Sequence, residues 1–333
     1  MRFGPVATAD AEGAVLAHSV AVEGKRLRKG RVLGAEDLVA LKTAGVAEVI
    51  VARLAESDVD ENAAARRLAE ALVPDPAAAG LRLTEPFTGR VNLLAEGPGV
   101  AVLDVPALEA VNRVHPMITL ATVPPFQQMG AGGMVATIKI ISYAVPETDL
   151  DASCAAAGQG IRLAAPVIGD VDLIVTEIPG GAGDKGRAAI SGRVEALGLA
   201  LGDVRTVPHD TAALAECLKE GQAGLTLILT GSATSDIDDV APAALRLAGG
   251  RIERFGMPVD PGNLLFLGDL DGRPVIGLPG CARSPALNGA DWVLARVLCG
   301  IPVSDADISG MGVGGLLKEI PTRPQPRAGR GKG

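Results

Sequence analysis

Two groups of residues are suited to chemistry, and one lies between Thr230 and Asp239. The run TGSATSDIDD follows the apolar stretch LTLIL. Small residues let a ligand approach the backbone, and the hydroxyls of Thr230, Ser232, Thr234 and Ser235 can donate to it. Gly231 adds a flexible turn. Asp236, Asp238 and Asp239 offer oxygen ligands of the kind Mg²⁺ prefers. The same residues also make ordinary helix caps, because Ser, Thr and Asp side chains accept from the first free N–H groups of a helix. A second group is GLPG, Gly277–Gly280, which ends an apolar run. If Pro279 and Gly280 open a helix, its free N–H groups and dipole favour a phosphate. Arg283 and Ser284 then fall on the first turn. A plain strand-to-helix turn has the same local sequence.

Three further features are weaker. The loop PGGAGDKGR, residues 179–187, has the glycines of a phosphate loop without the GxxxxGK[ST] spacing. Gly310, Gly312 and Gly315 match GxGxxG literally but follow no strand pattern, so a dinucleotide fingerprint is not expected. His209 fits a ligand or base as well as a capping or core histidine. Cys281 falls where a helix N-terminus would lower its pKa, and a buried structural thiol is the competing reading.

The elements that must position these residues are legible as a rhythm. From about residue 166 apolar runs alternate with helical segments: VDLIVTEI, a helix to about Gly198, a strand ending at TVPHD (206–210), a helix Thr211–Glu220, LTLILT, a helix through Ala248, then RIERFG and LLFLGDLDGRPVIGL. A last helix is expected from about Arg283 to Cys299. This alternation predicts an α/β fold with a three-layer, mainly parallel sheet. The loops after Val175, Leu229 and Leu278 should share its carboxyl rim, where such sheets bind ligands. Residues 1–55 read as an N-terminal helix–strand segment, with Leu38 and Leu41 at helical spacing and Gly45 stopping the helix. Residues 56–165 read as a helix over 56–79 plus a smaller β-rich domain with a helix near Val105–Arg113. Residues 166–305 form the α/β domain, and 306–333 a Gly/Pro/Arg-rich tail or linker.

Composition removes several function classes. The 333 residues carry 31 basic and 39 acidic side chains, a net charge of −8, which argues against nucleic acid as a partner. Aromatics are 2%, too few for a base-stacking platform. Cys154, Cys217, Cys281 and Cys299 form no CxxC pair and no zinc spacing. No apolar run approaches the ~20 residues of a membrane span, and the N-terminus lacks a signal-peptide pattern. A cytoplasmic protein without membrane contact is expected.

The ordered set Thr230-Gly231, Asp239, Gly249-Gly250, Pro261-Gly262 and GRPVIGLPG (272–280) resembles the molybdopterin-binding domain of molybdenum-cofactor biosynthesis enzymes. The stretch Asp238–Ala244 is similar to the adenylyltransferase form. Residues 29–51 look like the segment that precedes this domain in molybdopterin molybdotransferases. The resemblance implies a ligand, molybdopterin or adenylylated molybdopterin, with its phosphate on Thr230, Gly231, Ser232, Thr234, Ser235, Gly277, Pro279, Gly280, Arg283 and Ser284. It implies Asp239 and Asp238 as catalytic groups, and Mg²⁺ or molybdate near Asp236 and Asp239. Partners so implied are a cytidylyltransferase-like domain or a molybdoenzyme, and a homo-oligomer. Ser232 replaces the family's second glycine, Asp260 and Asn263 replace its lysines, and Cys281 replaces its asparagine. These departures weigh against molybdate insertion and leave pterin binding. The other readings are a nucleotide pyrophosphatase of the competence-damage type and a non-catalytic cofactor carrier.

Overall fold

The computed structural model describes residues 1–181 and 185–317. The chain divides into two compact units. The first comprises Met1–Glu96, Ala101–Pro125 and Ala131–Leu163; the second comprises Gly97–Val100, Phe126–Gly130 and Ala164 onward. No helix among the described residues is long and apolar enough to cross a membrane.

The first unit begins with an antiparallel sheet in which Glu48–Arg53 lies between Arg2–Ala7 and Val15–Leu16. The helix Ala35–Thr43 packs Leu38 and Leu41 against Leu16, Leu33, Val49 and Val51. Asp37 accepts from the Gly34 N–H at 3.2 Å and fixes the helix start. Gly45, at φ +73°, ends it as the sequence predicts. The next helix is shorter than expected, Glu61–Leu72 rather than 56–79. Residues Asp58–Asp60 pair instead with Ala144–Pro146, and Asp60 caps the helix by accepting from Asn62 and Ala63. Pro74 keeps Val73 out of helical conformation. A four-stranded antiparallel sheet follows, ordered Ile118–Thr122, Met134–Ile140, Arg90–Ala95, Leu81–Leu83. Helices Val105–Val114 and Glu147–Ala157 complete this unit.

The second unit carries a six-stranded, mostly parallel sheet. Its strands are β1 (Val171–Glu177), β2 (Leu201–Pro208), β3 (Leu225–Leu229), β4 (Arg251–Phe255), β5 (Phe266–Leu270) and β6 (Arg273–Leu278). Their order is β2-β1-β3-β6-β5-β4. The pairs β1–β2, β1–β3 and β3–β6 are parallel; β6–β5 and β5–β4 are antiparallel. The helices are α1 (Arg187–Glu195), α2 (Thr211–Glu220), α3 (Val240–Leu247), α4 (Gly289–Leu298) and α5 (Asp305–Gly310). All five residues of β3 are buried, as befits a central parallel strand. On one side of the sheet Ile174, Ile228, Phe266 and Val275 pack against Leu214 and Leu218 of α2 and Ala244 and Leu245 of α3.

Candidate functional site

The register of the parallel strands decides where the candidate residues meet. Val175 is paired with Leu229, and Leu229 with Leu278. The loops leaving β1, β3 and β6 therefore rise side by side from one carboxyl rim. The expectation drawn from Val175, Leu229 and Leu278 is met. Thr230–Ser235 and Gly277–Ser284 come together although about 50 residues separate them in sequence. Arg283 ties the loops: its Nη2 donates to the Thr230 carbonyl at 2.8 Å, and its Nη1 donates to the Lys185 carbonyl. Two glycines permit this closeness. A Cβ on Gly186 would lie 2.7 Å from Arg283 Cγ, and one on Gly231 would lie 2.8 Å from the Thr176 carbonyl. Residues 182–184 of the 179–187 loop lie outside the described residues.

Within the β3 loop the hydroxyls divide by direction. Thr230 Oγ1 donates to the Ser232 carbonyl at 2.6 Å and lies 3.3 Å from Thr234 Oγ1. Both threonines are buried, so they shape the loop from inside. Ser232 and Ser235 are exposed and face solvent with the loop backbone. The three carboxylates are engaged locally. Asp239 caps α3, accepting from the Val240 N–H at 2.8 Å and the Ser235 N–H at 3.0 Å. Asp236 accepts from the Asp238 N–H at 2.8 Å. Asp238 pairs with Arg246 at 2.6 Å on the surface. Among the described residues, no three His, Cys, Asp or Glu side chains are grouped to hold a metal ion.

At the β6 end the structure corrects the expected helix. Gly280–Arg283 form one 3₁₀ turn, and the helix α4 begins at Gly289 rather than Arg283. Pro285 is the cause: the residue before a proline is driven out of helical conformation, and Ser284 is extended at ψ 143°. The helix dipole therefore starts at Asn288, not at Gly280. Gly277 has a packing reason, since a Cβ there would lie 1.9 Å from the Phe266 ring. Pro279 is buried, and Gly280 is exposed with open space around it. Cys281 is exposed, and the buried Asn288 donates to its Sγ at 3.0 Å. Pro261 and Gly262 meet the start of α4: the Gly289 N–H donates to the Pro261 carbonyl at 2.8 Å. Gly310 is the last residue of the short helix α5, Gly312 and Gly315 follow it, and no strand precedes them; residues 318–333 of the expected tail lie outside the described residues.

Two residues that organise the rim were not singled out from sequence. Arg193, on α1, is 8% exposed and pairs with Asp291 of α4 at 2.5 Å. Its Nη atoms donate to the carbonyls of Ala282, Ser284 and Ala286 at 2.8 to 3.0 Å. One guanidinium thus holds the whole loop between β6 and α4. Burial raises the Asp291 carboxyl above its usual range, and Arg193 opposes that shift. The capping box Asn288–Asp291 was a readable trace of this junction. The other residue is Thr176. Its buried Oγ1 lies 2.8 Å from His209 Nδ1 and accepts from the Gly231 N–H at 2.9 Å. His209 therefore sits on the rim, bound to the end of β1.

A family model described as "Domain of unknown function (DUF8806)" matches residues 5–53, within the first unit. A comparison with curated proteins finds no match. Among solved structures, the chain is similar to the molybdopterin biosynthesis MoeA protein from Pyrococcus horikosii. The identity is 16%, with a TM-score of 0.31, covering 90% of this chain and 75% of that one. It is also similar to a molybdenum cofactor biosynthesis protein from Pyrococcus furiosus, at 13% identity and a TM-score of 0.25, covering 91% of this chain and 66% of that one.

Proposed function

We propose that this chain binds a phosphate-bearing pterin, molybdopterin or adenylylated molybdopterin, in molybdenum-cofactor biosynthesis. The single observation that carries the reading is the contact of Arg283 with Thr230, which joins the two loops singled out by motif. The phosphate is held by Ser232 and Ser235 and by backbone N–H groups of the β3 and β6 loops. Thr230 and Thr234 set the loop shape, and Gly231, Gly277 and Pro279 let the chain pack closely behind it. Gly280 and Ser284 leave the β6 side open to the ligand. The sheet is read as the middle of three layers, with helices on both faces.

The acidic residues do not form an all-protein cage. Mg²⁺ is proposed to bind them in the mode that ion prefers, one or two carboxylates plus phosphate oxygens and water. Asp236 and Asp239 are the carboxylates so proposed, with Asp238 beside them. Bound there, Mg²⁺ would supply charge neutralisation at the phosphate. Asp260 and Asn263 stand where the resembling family has lysines, which favours holding and passing the pterin over inserting molybdate. The recipients proposed are a cytidylyltransferase-like partner or a molybdoenzyme, with the chain acting as a homo-oligomer.

Calorimetry with molybdopterin and its adenylylated form tests this reading. Binding in the micromolar range or tighter is expected, and Ser232→Ala with Ser235→Ala should weaken it about tenfold. No binding far above the micromolar range overturns it. So does Mg²⁺-dependent hydrolysis of ADP-ribose, which would make the chain a nucleotide pyrophosphatase with Asp238 and Asp239 as its acids.

A further inference from the structure

The ends of β1 and β2 border an open, shallow hollow of about 390 Å³. It is lined by Glu177, Ile178 and Pro179 on one side and by Thr206, Val207 and Pro208 on the other. Its size falls in the range of small-ligand sites, roughly 300–1,000 Å³. The hollow adjoins the phosphate loops directly. A Cβ on Gly231 would lie 3.2 Å from the Ile178 nitrogen, so the β3 loop rests against one wall. That wall is held in place. The His209 N–H donates to the Glu177 carbonyl at 2.9 Å, and Thr176 binds both His209 and Gly231. The walls are mostly aliphatic, with prolines on both sides. Glu177 is the one acid in the lining; its residue is exposed, and it enters no ion pair among the described residues.

We propose that this hollow takes the flat heterocycle of the ligand and that Glu177 reads its aminopyrimidinone edge. The inference rests on the pterin reading above. A pterin presents its 2-amino group and the neighbouring ring N–H side by side, two donors in line. A carboxylate offers two acceptor oxygens at matching spacing, so the pair is bidentate and charge-assisted. Guanine carries the same edge. Adenine sets an amino group beside an acceptor nitrogen, which would face a carboxylate oxygen. Hypoxanthine lacks the amino group. An analogue without one of the two donors forfeits one of the two charge-assisted hydrogen bonds. The ring faces rest on Pro179, Pro208 and Ile178, so no aromatic platform is required.

The test is equilibrium binding to the full chain, followed by the fluorescence of unsubstituted pterin and its displacement by GMP, IMP and AMP. GMP is expected to displace pterin at least tenfold better than IMP or AMP. Glu177→Gln should remove that preference while leaving inorganic pyrophosphate binding unchanged. Equal affinities for GMP and AMP in the unaltered protein overturn the proposal. If molybdopterin binds the unaltered protein and Glu177→Gln equally tightly, the heterocycle lies elsewhere and only this inference falls. If molybdopterin does not bind at all, this inference falls together with the reading on which it rests.

Discussion

Asp239 caps a helix at the place where the sequence suggests a metal ligand. Its oxygens accept from Val240 and Ser235, so it is a helix cap before it is anything else. Removing a cap of this kind costs about 1 kcal/mol, and a residue that still caps loses little. Asp239→Ala should therefore destabilise the chain by about 1 kcal/mol, and Asp239→Asn by much less, in urea denaturation. A variant pair with equal stability would show that the cap is not holding α3. The cysteines allow a second prediction at this scale. Burial pushes the Cys299 thiol up to about 11 and raises those of Cys154 and Cys217. Thiolate is the reactive form. Exposed Cys281 should thus react first with a disulfide reagent near pH ~8, where a buried thiol with a raised pKa stays protonated. Cys281→Ser should abolish the fast phase. Persistence of that phase would place the accessible thiol elsewhere.

At the scale of elements, the loop between β6 and α4 depends on a residue from α1. Arg193 binds three of its carbonyls and neutralises Asp291, itself 15% exposed. Removing one member of a buried pair leaves an uncompensated charge, at a cost of about 3–5 kcal/mol. Arg193→Ala should lose about that much stability. Arg193→Lys should recover only part of it, because an ammonium cannot reproduce the planar fork. Urea titration of both variants measures the difference. Full recovery by Arg193→Lys would mean that the carbonyl contacts add nothing to the charge.

In the molecule as a whole, protection against hydrogen exchange should follow burial and strand position. The central strands β1 and β3 are the most enclosed, whereas β2 at the sheet edge is largely half-buried or exposed. Opening energies reach the global value only in such cores. Amides of Leu173–Val175 and Leu227–Leu229 should therefore exchange among the slowest of the second unit, and those of β2 and β4 faster. Faster exchange in β3 than in β2 would contradict this sheet order.

Much of this was legible in the residues themselves. Apolar runs bounded by glycine located β1, β3 and β6, because a strand buried on both faces must be apolar throughout. The spacing of Leu38 and Leu41 located the helix Ala35–Thr43, the helix Thr211–Glu220 was legible between two apolar runs, and Gly45 marked a stop through its freedom at positive φ. Parallel alternation also implied a shared rim for the three loops. Pro285 was a readable break that the expected helix overran, since a proline inside a helical pattern disfavours helix in the residue before it. What remained hidden were the roles that depend on distant partners. Thr230 and Thr234 turn inward, Gly277 makes room for Phe266, and Arg193 reaches across to a loop about 90 residues away. Local propensity and periodicity are properties of short segments, so the sequence alone determined the elements and their order. Burial and hydrogen bonding are satisfied by whichever groups folding brings near. Only the tertiary structure could therefore decide which hydroxyls face solvent, which acids cap a helix, and where a hollow is left beside them.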